Sequence, residues 1–268
     1  MNDLKELENR SIYIIREVAR NFGNEKIASL WSMGKDSTTL MWLIRKAFMG
    51  AVPFPVVHID TTYKFDVMYD FRNKMAAEWN LDLRIVKNEE ALAAGMNKDK
   101  GRLTCCNALK TQSFQLAVDK YDLSAVFLAI RRDEHGVRAK ERYMSPRDKD
   151  FKWDYENQPT EMWDQYQQEV PDETHFRVHP MLDWTELDIW RYIKQENIPT
   201  INMYFAKQGK RYRSIGCHPC TNPVPSEAMT VDQIIAELES TNVSERAGRA
   251  QDKESAATMQ KLRSLGYM

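Results

Sequence analysis

Eight consecutive residues, Ser32-Met33-Gly34-Lys35-Asp36-Ser37-Thr38-Thr39, carry side chains suited to gripping an anion. Gly34 permits close backbone approach. Lys35 supplies a point charge, and the hydroxyls of Ser32, Ser37 and Thr38 can hydrogen-bond. The octet follows an apolar run at 27–31 that predicts a buried strand, and it precedes 40–48, whose amphipathic spacing predicts a helix. A short loop from strand to helix gathers backbone N–H groups and a positive helix end at one point, which suits phosphate. Asp36 is discordant, because a carboxylate repels phosphate unless a divalent cation stands between them. The pattern is not Walker A, which has a second glycine and Gly-Lys-Ser/Thr at the helix start. The plain alternative is an ordinary turn.

A second constellation is the cysteines, Cys105-Cys106 and Cys217-x-x-Cys220. Four thiolates can hold zinc or an iron–sulfur cubane. Neighbouring side chains diverge, so adjacent cysteines fit poorly on one small tetrahedral ion, whereas a cubane offers separate iron corners. Zinc ribbons rarely use pairs so far apart in sequence. The spacing therefore favours a cluster, with zinc and unligated thiols as the alternatives. Arg131-Arg132 ends a strand, where guanidinium groups can clamp two oxygens and stabilise charge that grows in a transition state. Their alternative is surface pairing with Asp133 and Glu134. Asp60, at another strand end, can meet a ribose, a metal or only solvent. His58, His179, Trp184, Ile189 and Trp190 read as structural.

The elements that must place these groups alternate. A helix over 3–22 is followed by strands at 27–31, 56–60, 83–86, 125–130 and 176–180. Helices are predicted between them, over 40–48, 68–79, from the Cys105-Cys106 pair to 120, and from 183 onward. Such alternation is the mark of a doubly wound α/β parallel sheet with helices on both faces, whose ligands collect at the carboxyl ends of the strands. Residues 138–168 are charged, aromatic and poorly periodic, and read as a long active-site loop. Its Trp153, Tyr155, Trp163 and Tyr166 are candidates for meeting a partner protein. The second cysteine pair falls in a Gly/Pro-containing loop at 207–226. The expected organisation is a nucleotide-binding domain over 1–225 and a helical tail over 226–268 packed on it. With 268 residues, 43% hydrophobic and 29% charged, the chain can bury a full core. The net charge of −1 gives no general reason to expect nucleic acid. No apolar run reaches membrane-span length and no signal peptide is evident, so a cytoplasmic protein is expected, where four cysteines are not a disulfide framework.

The octet resembles the Ser-x-Gly-Lys-Asp-Ser loop of the ATP pyrophosphatases, which cut ATP between its α and β phosphates. Further matches are His58-Ile59-Asp60-Thr61, Arg131-Arg132-Asp133-Glu134, Arg138-Ala139-Lys140-Glu141-Arg142 and Ser244-Glu245-Arg246-Ala247-Gly248-Arg249. So is Trp184-Thr185-Glu186-Leu187-Asp188-Ile189-Trp190. Together they make nearly the whole chain similar to the phosphoadenylylsulfate reductase-like family, close to the small subunit of heterodimeric ATP sulfurylase. The resemblance implies an adenine nucleotide α-hydrolase-like fold that binds ATP and Mg²⁺. It implies Ser32, Gly34, Lys35, Asp36, Ser37 and Thr38 around the phosphates, with Lys35 on the β/γ phosphates and Asp36 toward Mg²⁺. Asp60, Arg131 and Arg132 would complete the site, and Arg246 and Arg249 would fold over the nucleotide.

The cysteines depart from that subunit. They resemble adenylylsulfate reductases, whose pairs hold a [4Fe–4S] cluster, which would assign Cys105, Cys106, Cys217 and Cys220 to iron. Those reductases need a further nucleophilic cysteine in a C-terminal tail, whereas this chain has four in all and ends Leu265-Gly266-Tyr267-Met268. A reductase reaction is therefore not expected. An ATP-cutting loop with a cluster but no reductase cysteine is similar to the ATP pyrophosphatase of DNA phosphorothioation systems. The leading expectation is accordingly an enzyme that activates an acceptor for sulfur transfer into DNA. A cysteine desulfurase or other sulfur donor, and DNA through partner proteins, would be its partners. The alternative is the sulfate adenylyltransferase subunit itself, working with a GTPase subunit. A third reading is a non-catalytic iron–sulfur scaffold or redox sensor, against which the intact Lys35, Asp36, Arg131 and Arg132 argue.

Overall fold

The computed structural model describes residues 3–250 except 135, 157, 159, 164, 167–172 and 242. A six-stranded sheet in the order β3-β2-β1-β4-β6-β5 organises them. Its strands are β1 (Ile27–Leu30), β2 (Val56–Ile59), β3 (Leu83–Val86), β4 (Ala125–Phe127), β5 (Met144–Asp148) and β6 (Glu173–Val178). β1, β2, β3, β4 and β6 run parallel, and β5 alone pairs antiparallel, with Met144 opposite Val178. All four residues of β1 are buried, as a strand covered on both faces requires.

The helices are α1 (Leu4–Phe22), α2 (Lys35–Ala47), α3 (Asp66–Glu78), α4 (Glu89–Ala93), α5 (Arg102–Cys106), α6 (Gln112–Tyr121), α7 (Glu186–Glu196) and α8 (Val231–Ser240). α1 buries Leu7, Ile14, Ile15 and Val18, one apolar stripe at helical spacing, and packs against α2. α2 packs in turn on α7, and α6 lies over β2 and β3. Thr185 and Asp188 form a reciprocal capping box at the start of α7, and Thr230 with Gln233 does the same for α8. A two-stranded ribbon, β7 (Lys210–Arg211) with β8 (Val224–Pro225), closes the base of the loop that carries Cys217 and Cys220.

The α/β class and the parallel sheet are as the sequence predicts, with two corrections. The helix expected after Thr39 begins at Lys35, so most of the octet is already its first turn. The stretch read as a continuous loop over 138–168 contains β5. Pro146 is tolerated there because β5 is an edge strand, and all of Met144–Arg147 is buried, with polar Ser145 and Arg147 alternating with Met144 and Pro146. The tail over 251–268 lies outside the described residues. Among those described, no helix is long and apolar enough to cross a membrane.

Candidate active site

The strand order reverses between β1 and β4, since β2 and β3 lie to one side of β1 while β4 and β6 lie to the other. In open α/β sheets the crevice at the carboxyl ends of two such strands is where ligands bind. A cleft of about 1060 Å³, including its open mouth, sits there. Residues 30–32 at the end of β1, 57–59 of β2 and 128–130 after β4 form one side of it, with Gly34, Lys35, Asp36 and Ser37 at the start of α2.

The turn from β1 into α2 is tight. Met33 adopts a left-handed φ of 62° and buries its side chain. Gly34 is the helix N-cap, and no side chain caps α2, so its positive end is open to an anion. A Cβ on Gly34 would meet Ser32 Oγ and Tyr204 Oη at 3.6 Å, an ordinary contact, so the protein's own packing does not demand glycine. The first amide of α2, Lys35 N–H, donates to Tyr204 Oη at 2.8 Å. Ser32 and Ser37 share a hydroxyl contact at 3.1 Å, and Ser37 also donates to the Gly34 carbonyl at 3.1 Å. Thr38 accepts from Trp31 Nε1 at 3.2 Å and does not line the cleft.

Beneath the cleft lies a buried charge network. Lys35 pairs with Asp36 at 3.0 Å and with Glu245. Arg131, fully buried, pairs with Asp36, Glu245 and Asp133. Arg213 grips Glu186 through Nε at 3.0 and 3.1 Å and Nη2 at 2.7 Å. Burial works against the ammonium of Lys35, yet Asp36, Glu245 and Glu186 outweigh it and keep the group charged far beyond neutral pH. For Glu245, burial raises the carboxyl, but Arg131 and Lys35 prevail and hold it down at about 2.

Four of the other expected site residues fall in different places. Arg246 and Arg249 line the cleft, and Arg246 also pairs with Glu134 at 3.0 Å. Asp60 is buried and accepts from Thr62 N–H at 2.8 Å and Tyr69 Oη at 2.9 Å, outside the cleft lining. Arg132 turns away from Lys35 and pairs with Asp183, also donating to the Glu141 carbonyl at 3.2 Å. The structure adds Lys64, Lys110, Arg138 and Tyr204 to the lining, and Glu245, Glu186 and Arg213 to the network below it. Glu245 and Arg138 fall inside motifs the sequence singles out. Nothing local to Lys64 or Tyr204 signals a role.

The four cysteines, none of them in a disulfide, face one small cavity beside this cleft. Cys105 and Cys106 end α5, a π-helical segment follows at Asn107–Thr111, and its Lys110 lines both cavities. Cys217 Sγ lies 3.2 Å from Thr61 Oγ1. Burial opposes its ionisation, but Lys110, Lys64 and the Thr61 hydroxyl bring it down to about 7. Burial and the other three cysteines push Cys105 up to about 11. Among the described residues, no group of three or more His, Cys, Asp or Glu side chains is placed to hold a metal ion.

Comparison with known proteins fits this geometry. The model of the phosphoadenosine phosphosulfate reductase domain matches residues 26–223. The chain belongs to that family. Sulfate adenylyltransferase subunit 2 1 of Chromohalobacter salexigens is 42% identical over 295 aligned positions, covering 98% of this chain and 96% of that protein. Sulfate adenylyltransferase subunit 2 of Zymomonas mobilis is 40% identical, covering 100% and 98%. Among solved structures, a phosphoadenylyl-sulfate reductase from Candida auris superposes with a TM-score of 0.56 at 16% identity, over 82% of this chain and 96% of the other. An FMN adenylyltransferase from Candida glabrata, solved with FMN and an ATP analogue, gives 0.57 at 18% identity, over 82% and 64%. These two likenesses show the fold.

The relatives correct the leading expectation from the sequence. Relatives at 40–42% identity over the full length are named as sulfate adenylyltransferase subunits, which favours that alternative over an ATP pyrophosphatase of DNA phosphorothioation. The desulfurase and DNA partners expected with that reading lose their ground with it. That expectation leaned on the cysteine pattern, which resembles adenylylsulfate reductases, over the resemblance carried by the rest of the chain.

Proposed function

We propose that this chain is the ATP-binding subunit of a sulfate adenylyltransferase. One observation carries the reading: Lys35 and Arg131 converge beside the uncapped start of α2, at the point where the strand order reverses. A triphosphate laid there meets a helix N-terminus, an ammonium and a guanidinium, which is the combination that neutralises a pyrophosphate leaving group. Gly34 leaves room for that approach, since the protein itself does not need the side chain removed. Arg138 lines the same cleft and brings further positive charge to it.

The reaction this arrangement serves is in-line displacement at the α-phosphorus. A sulfate oxygen forms the new P–O bond, the bond to the bridging α–β oxygen breaks, and pyrophosphate leaves with the electron pair. Sulfate is already an anion, so no general base is needed, and the protein's work is positioning and charge neutralisation. Mg²⁺ would share that neutralisation, with Asp36 as its carboxylate ligand. The names of the relatives support a second subunit, for which a GTPase is the expected partner.

The cysteine cavity belongs to the same proposal. Four thiols face one space, and two of them, Cys105 and Cys106, come from adjacent residues. That combination fits a group with separate metal corners, so Cys105, Cys106, Cys217 and Cys220 would hold an iron–sulfur cluster rather than zinc. Lys110 and Lys64 favour the thiolate that ligation needs. When bound, such a cluster supplies local charge and rigidity at the wall shared with the cleft.

The test is product formation. The purified chain with its partner subunit, ATP and radiolabelled sulfate should yield labelled adenylyl sulfate. Release of AMP and pyrophosphate that ignores sulfate would contradict the reading.

A further inference from the structure

The turn Glu245–Gly248 arrives at the phosphate end of the cleft from the far end of the chain. Ser244 caps it, its Oγ accepting from Arg246 N–H at 3.4 Å. Gly248 presses on the cysteine loop: its carbonyl accepts from Asn222 N–H at 2.9 Å, and a Cβ there would come within 2.3 Å of the Asn222 carbonyl oxygen. Thr221 and Arg249 continue the contact as an antiparallel bridge. Docked in this way, the turn delivers Glu245 with one carboxylate oxygen on Lys35 Nζ and the other on Arg131 Nη2.

The site this fills is telling. Lys35 and Asp36 line the cleft, whereas Arg131 and Glu245 do not, so the cleft stops where the Glu245 carboxylate begins. Lys35 reaches the cleft although it is only 2% exposed, and Arg131, 0% exposed, is engaged by Glu245 and Asp36, so full contact of a triphosphate with this pair waits on the Glu245 carboxylate. A carboxylate bridging an ammonium and a guanidinium presents the same two anionic oxygens as a phosphate. Without Glu245, Lys35 keeps only Asp36 and Arg131 keeps Asp36 and Asp133, so two buried cations lose a shared anion that a phosphate can replace.

We propose that Glu245 is an internal stand-in for the terminal phosphates of ATP, and that the Glu245–Gly248 turn is a strap the nucleotide displaces to seat fully. The inference rests on the ATP-binding reading of the cleft. The strap makes that binding self-regulating: Lys35 and Arg131 stay paired in the empty enzyme and change partners on binding. Because the strap is anchored to the cysteine loop through Asn222 and Thr221, its release also moves the wall of the cysteine cavity.

The experiment separates the two ends of the nucleotide. Inorganic pyrophosphate and AMP are titrated calorimetrically into the full chain, its Glu245→Gln form and its Lys35→Ala form. Glu245→Gln should bind pyrophosphate about tenfold more tightly than wild type and AMP within about twofold, because only the phosphate end competes with the carboxylate. Lys35→Ala should lose pyrophosphate binding. Pyrophosphate bound by Glu245→Gln no more tightly than by wild type, with Lys35 still required, would overturn the stand-in role and leave the nucleotide site intact. Pyrophosphate binding that ignores Lys35 would take both down. A second measurement needs no variant. In wild-type protein, saturating pyrophosphate should speed amide exchange at 245–249, and slowed or unchanged exchange there would contradict displacement.

Discussion

Lys35 and Tyr204 are 169 residues apart, and the backbone N–H of the first donates to the phenol oxygen of the second at 2.8 Å. This single bond ties the start of α2 to the segment after α7 and takes up one of the helix's first amides, leaving the rest of its N-terminus for an anion. Burial pushes the Tyr204 phenol up to about 12, so it stays protonated at neutral pH and its own proton can be donated onward. Tyr204→Phe removes the acceptor without changing the shape. The expected cost is about 1–2 kcal/mol, the usual penalty for a buried donor left unpaired, and urea denaturation would measure it. A variant as stable as wild type would show that the bond holds nothing in place.

Acid should weaken the fold through Glu245. Its carboxyl titrates at about 2 in the folded protein against an ordinary 4.5, because Arg131 and Lys35 overcome the effect of burial. A folded value below the unfolded one means the stabilisation is full above 4.5 and drains as pH falls toward 2. Urea midpoints recorded across that window should fall more steeply for wild type than for Glu245→Gln. Parallel curves would contradict the buried pairing.

Arg213 and Glu186 form the two-pronged pair that backs the network, with both side chains buried. Arg213→Ala leaves the Glu186 carboxylate buried near Glu245 with no direct partner. The expected loss is about 3–5 kcal/mol. Arg213→Lys should recover only part of it, since an ammonium cannot make the paired contact. Thermal unfolding of the two variants side by side decides this.

Removal of one cysteine tests the cavity. Anaerobically purified wild type should be brown and contain iron and acid-labile sulfide, and Cys220→Ser should lose most of both. Colourless wild-type protein carrying one zinc per chain would contradict the cluster.

Much of this was legible in the sequence where chemistry and local periodicity coincide. The run into β1, the Gly34-Lys35 turn and the stripe of α1 are each specified by neighbouring residues, and all three are present. β5 was hidden because Pro146 interrupts it and its buried residues include Ser145 and Arg147, the latter paired with Glu141, so no apolar run marks it. Arg131 and Arg132 read alike, yet Arg131 pairs with Asp36 while Arg132 pairs with Asp183, a divergence that only the folded chain shows. Glu245 could not be assigned from the sequence, because its partner lies 210 residues away and only the folded chain brings them together. The cysteines misled the functional reading for the converse reason, since a conspicuous local pattern was weighed above similarity spread thinly along the whole length.

Exchange of radiolabelled pyrophosphate into ATP, run with and without sulfate, tests the central claim most directly. The chain with its partner subunit should exchange only when sulfate is present, and Lys35→Ala should lower the rate by about 100-fold or more. Exchange that proceeds equally without sulfate, or that survives the loss of Lys35, would contradict the account.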